Sequence, residues 1–293
     1  MLPPCSLLNP ASYYLRRPDV RIHYRRLGAG PPLLLLHGLG SCADDWFPVA
    51  PGLAAAFELI LVDVRGHGHS SLASSRDYAI ARMAEDVLAV MDALDIGRAH
   101  VLGLSLGGCV ALQLAVSYPR RVDRLVLVNT FARLRNSGLA TLRHRLSRLY
   151  ACARDMDVLA EFVAASLFDD PEIRAFAAER LRRNDRGCIV RTMLAIARFN
   201  LLPHLQRVHH PALVLVGARD RTVPRECAWD MMARLPRAWL RVIPDAGHAL
   251  PFDQPERFYD AVSRFLLGQD NTNTRASKLT PAPMSQPTTT SPR

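Results

Sequence analysis

Lysine is almost absent from this chain. Lys278 is the only lysine among 37 basic residues, so arginine carries nearly all of the positive charge behind a formal net charge of +10. A basic balance suits nucleic acid or another polyanion as a partner. The arginines, however, form no block interleaved with aromatic residues, which is the pattern that nucleic-acid binding favours. We therefore attribute the charge to biased composition and expect no nucleic-acid partner.

Closely spaced cysteines and long apolar runs are missing as well. The sequence has no Cys-x-x-Cys pair and no zinc-type Cys/His grouping, which predicts free thiols in a reducing compartment and a cytoplasmic location. Purely apolar runs such as residues 33–36 are far shorter than the roughly 20 residues of a membrane-spanning helix. The N-terminus lacks a basic n-region, so we expect neither export nor membrane association. The scattered cysteines are Cys5, Cys42, Cys109, Cys152, Cys188 and Cys227.

Short apolar runs alternate with amphipathic helical patterns over most of the 293 residues. Such runs are typical of strands buried on both faces, and their alternation with helices predicts an α/β fold with a mostly parallel central sheet and helices on both faces. A half-exposed strand over residues 19–28 would form the edge of this sheet. The predicted buried strands cover residues 33–36, 59–62, 101–103, 125–128, 213–216 and 240–243, and the predicted helices cover residues 44–57, 80–94, 106–118, 225–235 and 256–267.

The alternation breaks between residues 131 and 205, which we interpret as an inserted helical cap. Thirteen arginines against eight carboxylates give residues 131–200 a net charge of +5, which fits either an anion-attracting entrance or solvated helix faces. The core would then comprise residues 19–130 and 206–267, after an N-terminal segment of residues 1–18. Residues 268–293 are rich in Thr, Ser and Pro and predict a disordered tail. Helical patterns within the cap cover residues 138–152, 158–167, 171–183 and 188–199.

The segment Gly103-Leu104-Ser105-Leu106-Gly107-Gly108 places one serine between a predicted strand and a predicted helix. A Gly-x-Ser-x-Gly elbow strains the serine backbone and exposes its hydroxyl above the sheet, while Gly103 and Gly107 let strand and helix approach closely. The same pentapeptide also occurs in ordinary loops. Its meaning therefore depends on whether the partners of a nucleophilic serine are present.

A general base and an acid follow the last two predicted strands. His248 comes directly after the strand at 240–243, and Asp220 follows the strand at 213–216. The order Ser105, Asp220, His248 is that of a nucleophile, acid and base on an α/β sheet. Taken singly, His248 could be a loop residue and Asp220 a helix cap. Three rival acids are weaker, because Asn129 is no carboxylate, Asp123 precedes its strand and Asp245 lies too close to His248 in sequence.

Donors for an oxyanion would come from two loops. The backbone N–H of Leu106 follows the nucleophile, and that of Leu39 lies in the loop His37-Gly38-Leu39-Gly40 after the first buried strand. Gly38 and Gly40 let this loop bend toward substrate, and we expect His37 to hold it by hydrogen bonding. Asp63, His67 and His69 could form a metal site, but a tight turn explains them more economically, and we expect no metal.

These motifs together resemble the α/β-hydrolase superfamily, and within it the small bacterial serine esterases and lactonases. Residues 125–130 are similar to the corresponding strand of 3-oxoadipate enol-lactonases. The resemblance implies a serine hydrolase that cleaves a small carboxylic ester or lactone through an acyl-enzyme, without a cofactor, on a substrate that the basic cap could select as an anion. Alternatives are a C–C bond hydrolase of a diketone acid, a cofactor-free perhydrolase or a non-catalytic ligand-binding protein. Both a monomer and a homo-oligomer fit the sequence.

Overall fold

A twisted sheet of eight strands forms the centre of the computed structural model, which describes residues 10–135, 155–168 and 171–269. The strand order is β1-β2-β4-β3-β5-β6-β7-β8. Strand β2 runs antiparallel to β1 and β4, and all other neighbours are parallel. The predicted α/β fold with a mostly parallel sheet is confirmed. The strands are β1 Ala11–Arg16, β2 Arg21–Leu27, β3 Pro32–Leu36, β4 Glu58–Val62, β5 Ala99–Leu104, β6 Val122–Val128, β7 Ala212–Gly217 and β8 Ala238–Ile243.

Two apolar cores cover the two faces of the sheet. Successive side chains of a strand point to opposite faces, so Leu34 and Leu36 of β3 lie in one core while Leu33 and Leu35 lie in the other. All four side chains are fully buried. This is why the central strands are uniformly apolar in sequence.

Helices fill the connections between the parallel strands. The helices α2, α3 and α7 contribute to one core, and α1 and α9 contribute to the other. Within the described ranges, every helix is too short or too polar to cross a lipid bilayer. The helices are α1 Ala50–Ala54, α2 Ile80–Ala93, α3 Leu106–Ser117, α4 Met156–Leu167, α5 Pro171–Arg182, α6 Arg186–Arg198, α7 Arg225–Met232, α8 Leu250–Asp253 and α9 Pro255–Leu266.

Three local predictions are wrong. The strand at 240–243, expected to be buried, belongs to β8 at an edge of the sheet, where only Ile243 is buried. The expected single helix over residues 44–57 is a 3-10 turn at Ala43–Trp46 followed by the short α1, because Pro48 and Pro51 interrupt the run of backbone N–H donors. The strand predicted at the edge of the sheet is the second strand, β2, since β1 pairs with its outer side. Residues 11–16, expected in an N-terminal segment outside the core, thus belong to the sheet.

The segment between β6 and β7 contains three described helices, α4, α5 and α6, with a small apolar core of their own. We call it the inserted segment. Its two ends meet where Arg133 and Asn200 form an antiparallel bridge and the N–H of Leu201 donates to the carbonyl of Ala132 at 2.8 Å. The predicted helix at 138–152 and residues 270–293 of the predicted tail lie outside the described residues.

Candidate functional site

Ser105 stands on a strained turn between β5 and α3. Its backbone angles, φ 53° and ψ −112°, lie in a region that residues other than glycine seldom adopt. Backbone approaches backbone so closely at this turn that only glycine fits at two positions. A Cβ on Gly107 would collide with the carbonyl of Leu36, and a Cβ on Gly103 would collide with Gly107. The predicted elbow geometry therefore exists at the carboxyl end of a central strand.

Asp220 and His248 are hydrogen-bonded to each other. The two residues follow β7 and β8, and Nδ1 of His248 lies 2.9 Å from Oδ2 of Asp220. The other carboxylate oxygen, Oδ1, accepts the backbone N–H groups of Thr222 at 2.7 Å and Val223 at 3.2 Å. Since a carboxylate only accepts, Nδ1 must carry the proton, which leaves Nε2 with a free lone pair. The geometry thus supplies an oriented imidazole that can act as a base.

The rival acids lie elsewhere. Asp123 is near the amino end of β6, at the opposite end of the strands from Ser105, and forms an ion pair with Arg98. Asp245 is exposed and pairs with Arg219. Asn129 does reach the histidine loop, but its amide binds backbone groups instead of the imidazole. Its position directly after a buried strand was the only sequence signal for this role.

The loop after β3 lies beside the serine. A Cβ built on Gly38 would be 3.7 Å from Cβ of Ser105. His37 is buried; its Nδ1–H donates to the carbonyl of Gly38 at 2.8 Å, and its Nε2 accepts the N–H of Val64 at 3.1 Å. Because a trans peptide is planar, holding the Gly38 carbonyl toward His37 turns the N–H of Leu39 the opposite way. His37 thereby sets the orientation of a candidate oxyanion donor.

The second candidate donor, Leu106, is the first residue of α3. The first four N–H groups of an α-helix have no partner within the helix, and they lie at the positive end of its dipole. The N–H of Leu106 is therefore suited to bind negative charge next to Ser105.

Helix α5 of the inserted segment packs directly on the loop after β3. A Cβ on Gly40, whose φ is 73°, would collide with Leu181, and the side-chain amide of Asn184 donates to the carbonyl of Gly40 at 3.0 Å. Arg180 of α5 forms an ion pair with Asp45 at 3.1 Å. Sequence patterns alone did not reveal these contacts, because they join residues more than a hundred positions apart.

Ser105 and His248 line one cavity of about 360 Å³ between the sheet and the inserted segment. Its described lining is mostly apolar. Of the described arginines in the inserted segment, Arg180 alone reaches it, and Arg180 is paired with Asp45. The described lining therefore has charges that balance. Its apolar side chains include Leu39, Phe131, Leu134, Val163, Phe168, Phe176, Leu181, Val190, Met193, Ile196, Val223 and Phe252.

The residues considered as a metal site form a hydrogen-bonded turn. Buried Asp63 accepts from Nδ1 of His23 at 2.7 Å and from the N–H of His69 at 2.8 Å. Burial alone would raise the pKa of the Asp63 carboxyl, but these bonds and nearby His37 hold it below its usual value. Burial and His37 lower the pKa of the His67 imidazole to about 4. The described part of the chain contains no group of three or more His, Cys, Asp or Glu residues arranged to hold a metal ion.

A buried ion-pair network secures this turn to the fold. Arg65, 1% exposed, forms a bidentate bond with Asp86 of α2 at 2.6 and 2.9 Å and also reaches Asp19 at 3.1 Å.

The four described cysteines, Cys42, Cys109, Cys188 and Cys227, are free and buried, and burial raises the pKa of the Cys109 thiol to about 12. These thiols are therefore packing groups at neutral pH.

Comparison with known proteins identifies the family. The sequence profile of the α/β hydrolase fold matches residues 31–255. A protein of Caulobacter sp. (strain K31) that carries the name carbamate hydrolase RutD is 30% identical over 260 residues, which is 84% of this chain and 96% of that protein.

Two solved structures are similar throughout. The enol-lactonase from Burkholderia xenovorans LB400 is 27% identical with a TM-score of 0.78, covering 87% of this chain and all of that one. A thermophilic esterase from Thermogutta terrifontis is 27% identical with a TM-score of 0.77, covering 89% and 99%. The chain therefore belongs to the α/β hydrolase family.

Proposed function

We propose that this chain is a serine hydrolase that cleaves a small carboxylic ester or lactone through an acyl-enzyme. The observation that carries the proposal is the strained Ser105 opening into the same cavity as His248, whose imidazole is oriented by Asp220. These are the parts that acyl transfer by serine requires.

In the first half of the reaction, Oγ of Ser105 attacks the substrate carbonyl while Nε2 of His248 takes the hydroxyl proton. The resulting oxyanion is bound by the backbone N–H groups of Leu39 and Leu106. The imidazolium then gives its proton to the leaving alkoxide. From an ester the alcohol departs, and from a lactone the new hydroxyl stays attached to the acyl group. Asp220 stabilises the transient positive charge and keeps Nδ1 protonated throughout.

In the second half, His248 removes a proton from water, which attacks the acyl-enzyme at the same carbonyl carbon. The second oxyanion collapses, the carboxylic acid is released, and the proton returns from His248 to Ser105. The residues of this chain account for every proton transfer.

The described lining favours a neutral substrate with an apolar acyl or alcohol group. The cavity of about 360 Å³ has room for a small substrate, and the charged pair in its described lining, Asp45 and Arg180, is self-compensated. The described lining thus offers no unbalanced positive charge for an anionic diketone acid. The enol-lactonase and esterase names among similar structures agree with acyl–oxygen cleavage. The carbamate hydrolase name of a relative makes a carbamate the competing substrate.

Labelling with a fluorophosphonate, followed by peptide mass spectrometry, tests the nucleophile. We expect the wild type to be labelled at Ser105 and the Ser105→Ala variant to remain unlabelled, while Ser117→Ala, at the far end of α3, is labelled like the wild type. His248→Ala should label far more slowly. Absence of wild-type labelling, or labelling that survives Ser105→Ala, would overturn the proposal.

Turnover of matched substrates tests the bond that is cleaved. We expect p-nitrophenyl hexanoate and an apolar lactone to be hydrolysed with higher kcat/KM than an alkyl carbamate or a vinylogous diketone acid. Preference for either of the last two would reject the ester or lactone assignment while leaving the serine mechanism in place.

A further inference from the structure

Two consecutive residues after β6 connect the loops that carry the proposed catalytic residues. Asn129 and Thr130 are 2% and 3% exposed, and Asn129 has the unusual φ of 43°. The N–H of Asn129 continues the pairing of β6 with β7 by donating to the carbonyl of Leu215 at 2.9 Å. The pair is thus held rigidly between the strands that precede Ser105 and Asp220.

The side chain of Asn129 bridges the acid loop and the base loop. Its Nδ2 donates to the carbonyls of Gly247 and His248, both at 2.9 Å. Its Oδ1 accepts the N–H of Gly217 at 2.9 Å, at the end of β7 and three residues before Asp220. Both donor hydrogens and the acceptor of the amide are therefore used. Only an amide can serve these three backbone groups, because two are acceptors and one is a donor.

The side chain of Thr130 reaches the nucleophile in the same way. Its Oγ1 donates to the backbone carbonyl of Ser105 at 2.6 Å, and this bond helps to hold the strained backbone of Ser105 in place. Neither Asn129 nor Thr130 is among the described residues that line the cavity.

We propose that Asn129 and Thr130 are positioning residues for the hydrolysis, a role that rests on the proposed function. Asn129 sets the distance between the His248 backbone and the acid loop, and Thr130 sets the orientation of Ser105. Acyl transfer tolerates little misplacement, since a shift of about 1 Å of a reacting group can cost on the order of 10²-fold in rate. The end of β6 thus carries no catalytic acid. It positions the base and the nucleophile relative to each other.

Isosteric variants separate positioning from packing. Asn129→Asp retains the shape and the acceptor for Gly217 but replaces both donors with an oxygen facing two carbonyls. Thr130→Val retains the volume and removes the hydroxyl. The matched controls are Asn200→Asp, an exposed site in the inserted segment whose Oδ1 also accepts a backbone N–H, and Thr130→Ser, which retains the hydroxyl.

With p-nitrophenyl hexanoate, we expect Asn129→Asp and Thr130→Val to lower kcat on the order of 10²-fold, with KM changed less than threefold because the cavity is intact. Both should slow fluorophosphonate labelling of Ser105 to a similar degree. Asn200→Asp and Thr130→Ser should stay within threefold of the wild type. Circular dichroism and thermal melting verify that each protein is folded at the assay temperature.

A readout that needs no turnover distinguishes this proposal from the proposed function. In protein with ¹⁵N-labelled histidine, the Nδ1 proton of His248 bonded to Asp220 should shift in Asn129→Asp and remain in place in Asn200→Asp. If the wild type neither hydrolyses esters nor reacts with the fluorophosphonate, the proposed function fails and this resonance decides the role of Asn129. An unmoved resonance together with wild-type kcat in folded Asn129→Asp overturns the inference for Asn129, and wild-type kcat in Thr130→Val overturns it for Thr130.

Discussion

Asp220→Asn gives the sharpest test of how the His248 imidazole is oriented. The carboxylate of Asp220 is an acceptor on both sides, toward two backbone N–H groups through Oδ1 and toward Nδ1 of His248 through Oδ2. An asparagine has only one carbonyl oxygen. That oxygen will stay with the backbone donors of Thr222 and Val223, since the alternative places an NH₂ group against two N–H groups.

The NH₂ group of the introduced amide then faces Nδ1, which can only accept from it. The imidazole proton must move to Nε2, the nitrogen that takes the proton from Ser105, and the base is lost. An Asp-to-Asn change with this consequence lowers kcat about 10⁴-fold in a serine protease, which corresponds to about 5 kcal/mol of transition-state stabilisation. We expect a loss of the same order here, with the fold and KM little changed.

The assay is steady-state hydrolysis of p-nitrophenyl hexanoate, with fluorophosphonate labelling as a second measure. Asp245→Asn is the matched control, because Asp245 lies three residues before His248 and its carboxylate forms an exposed ion pair with Arg219. We expect this control to remain within about twofold of the wild type. A loss of less than tenfold in folded Asp220→Asn would refute the orientation argument.

Two further predictions concern the buried groups beneath the site. Replacing Arg65 by Met leaves the carboxylate of Asp86 with Arg17 as its remaining partner, and we expect this to lower the free energy of unfolding by about 3 kcal/mol. The control Arg264→Met breaks an exposed pair with Asp260 and should cost at most about 1 kcal/mol. Equal losses for the two variants in urea titrations would contradict this difference. His67, with a pKa of about 4, is neutral when folded but takes up a proton when unfolded below about pH 6.5. The free energy of unfolding should therefore fall as the pH is lowered from 7 to 4.5, with about 2 kcal/mol of the loss due to His67. Urea titrations at several pH values measure this, and a free energy of unfolding that falls as steeply with pH in His67→Gln as in the wild type would refute the assignment.

The central sheet could be predicted because its strands are buried on both faces. In a strand such as β3 every leucine is fully buried. None of these positions faces water, so the strand appears in the sequence as an uninterrupted apolar run. Strand β1 is almost wholly exposed, so Tyr13 and Tyr14 give no alternating pattern, and the strand exists because β2 offers it a hydrogen-bonding edge. Local pattern analysis detects burial, and it misses strands that are formed by pairing alone.

The candidate catalytic residues could be predicted because each lies beyond the carboxyl end of a parallel strand. Ser105 and Asp220 follow the buried strands β5 and β7, whereas β8, which precedes His248, is mostly half-buried. His37 and the loop glycines that support these residues could be predicted too, but two other supporting residues could not. Asn129 binds groups 88 and 119 positions away, and Asn184 binds Gly40 144 positions away. Such contacts depend on how strands are ordered in the sheet and how the inserted segment folds back, which spacing along the chain does not encode.

The closed base of the inserted segment has a consequence for how this protein could change its substrate. Because the bridge between Arg133 and Asn200 brings the two ends of the segment together, the chain leaves the core and returns to it at one short junction. Whatever lies beyond that junction can vary in length without a large entropic cost to the rest of the fold. We therefore expect the same hydrolase core to accept different inserted segments, and a chimaera joined at these two residues is the natural way to give it a new specificity.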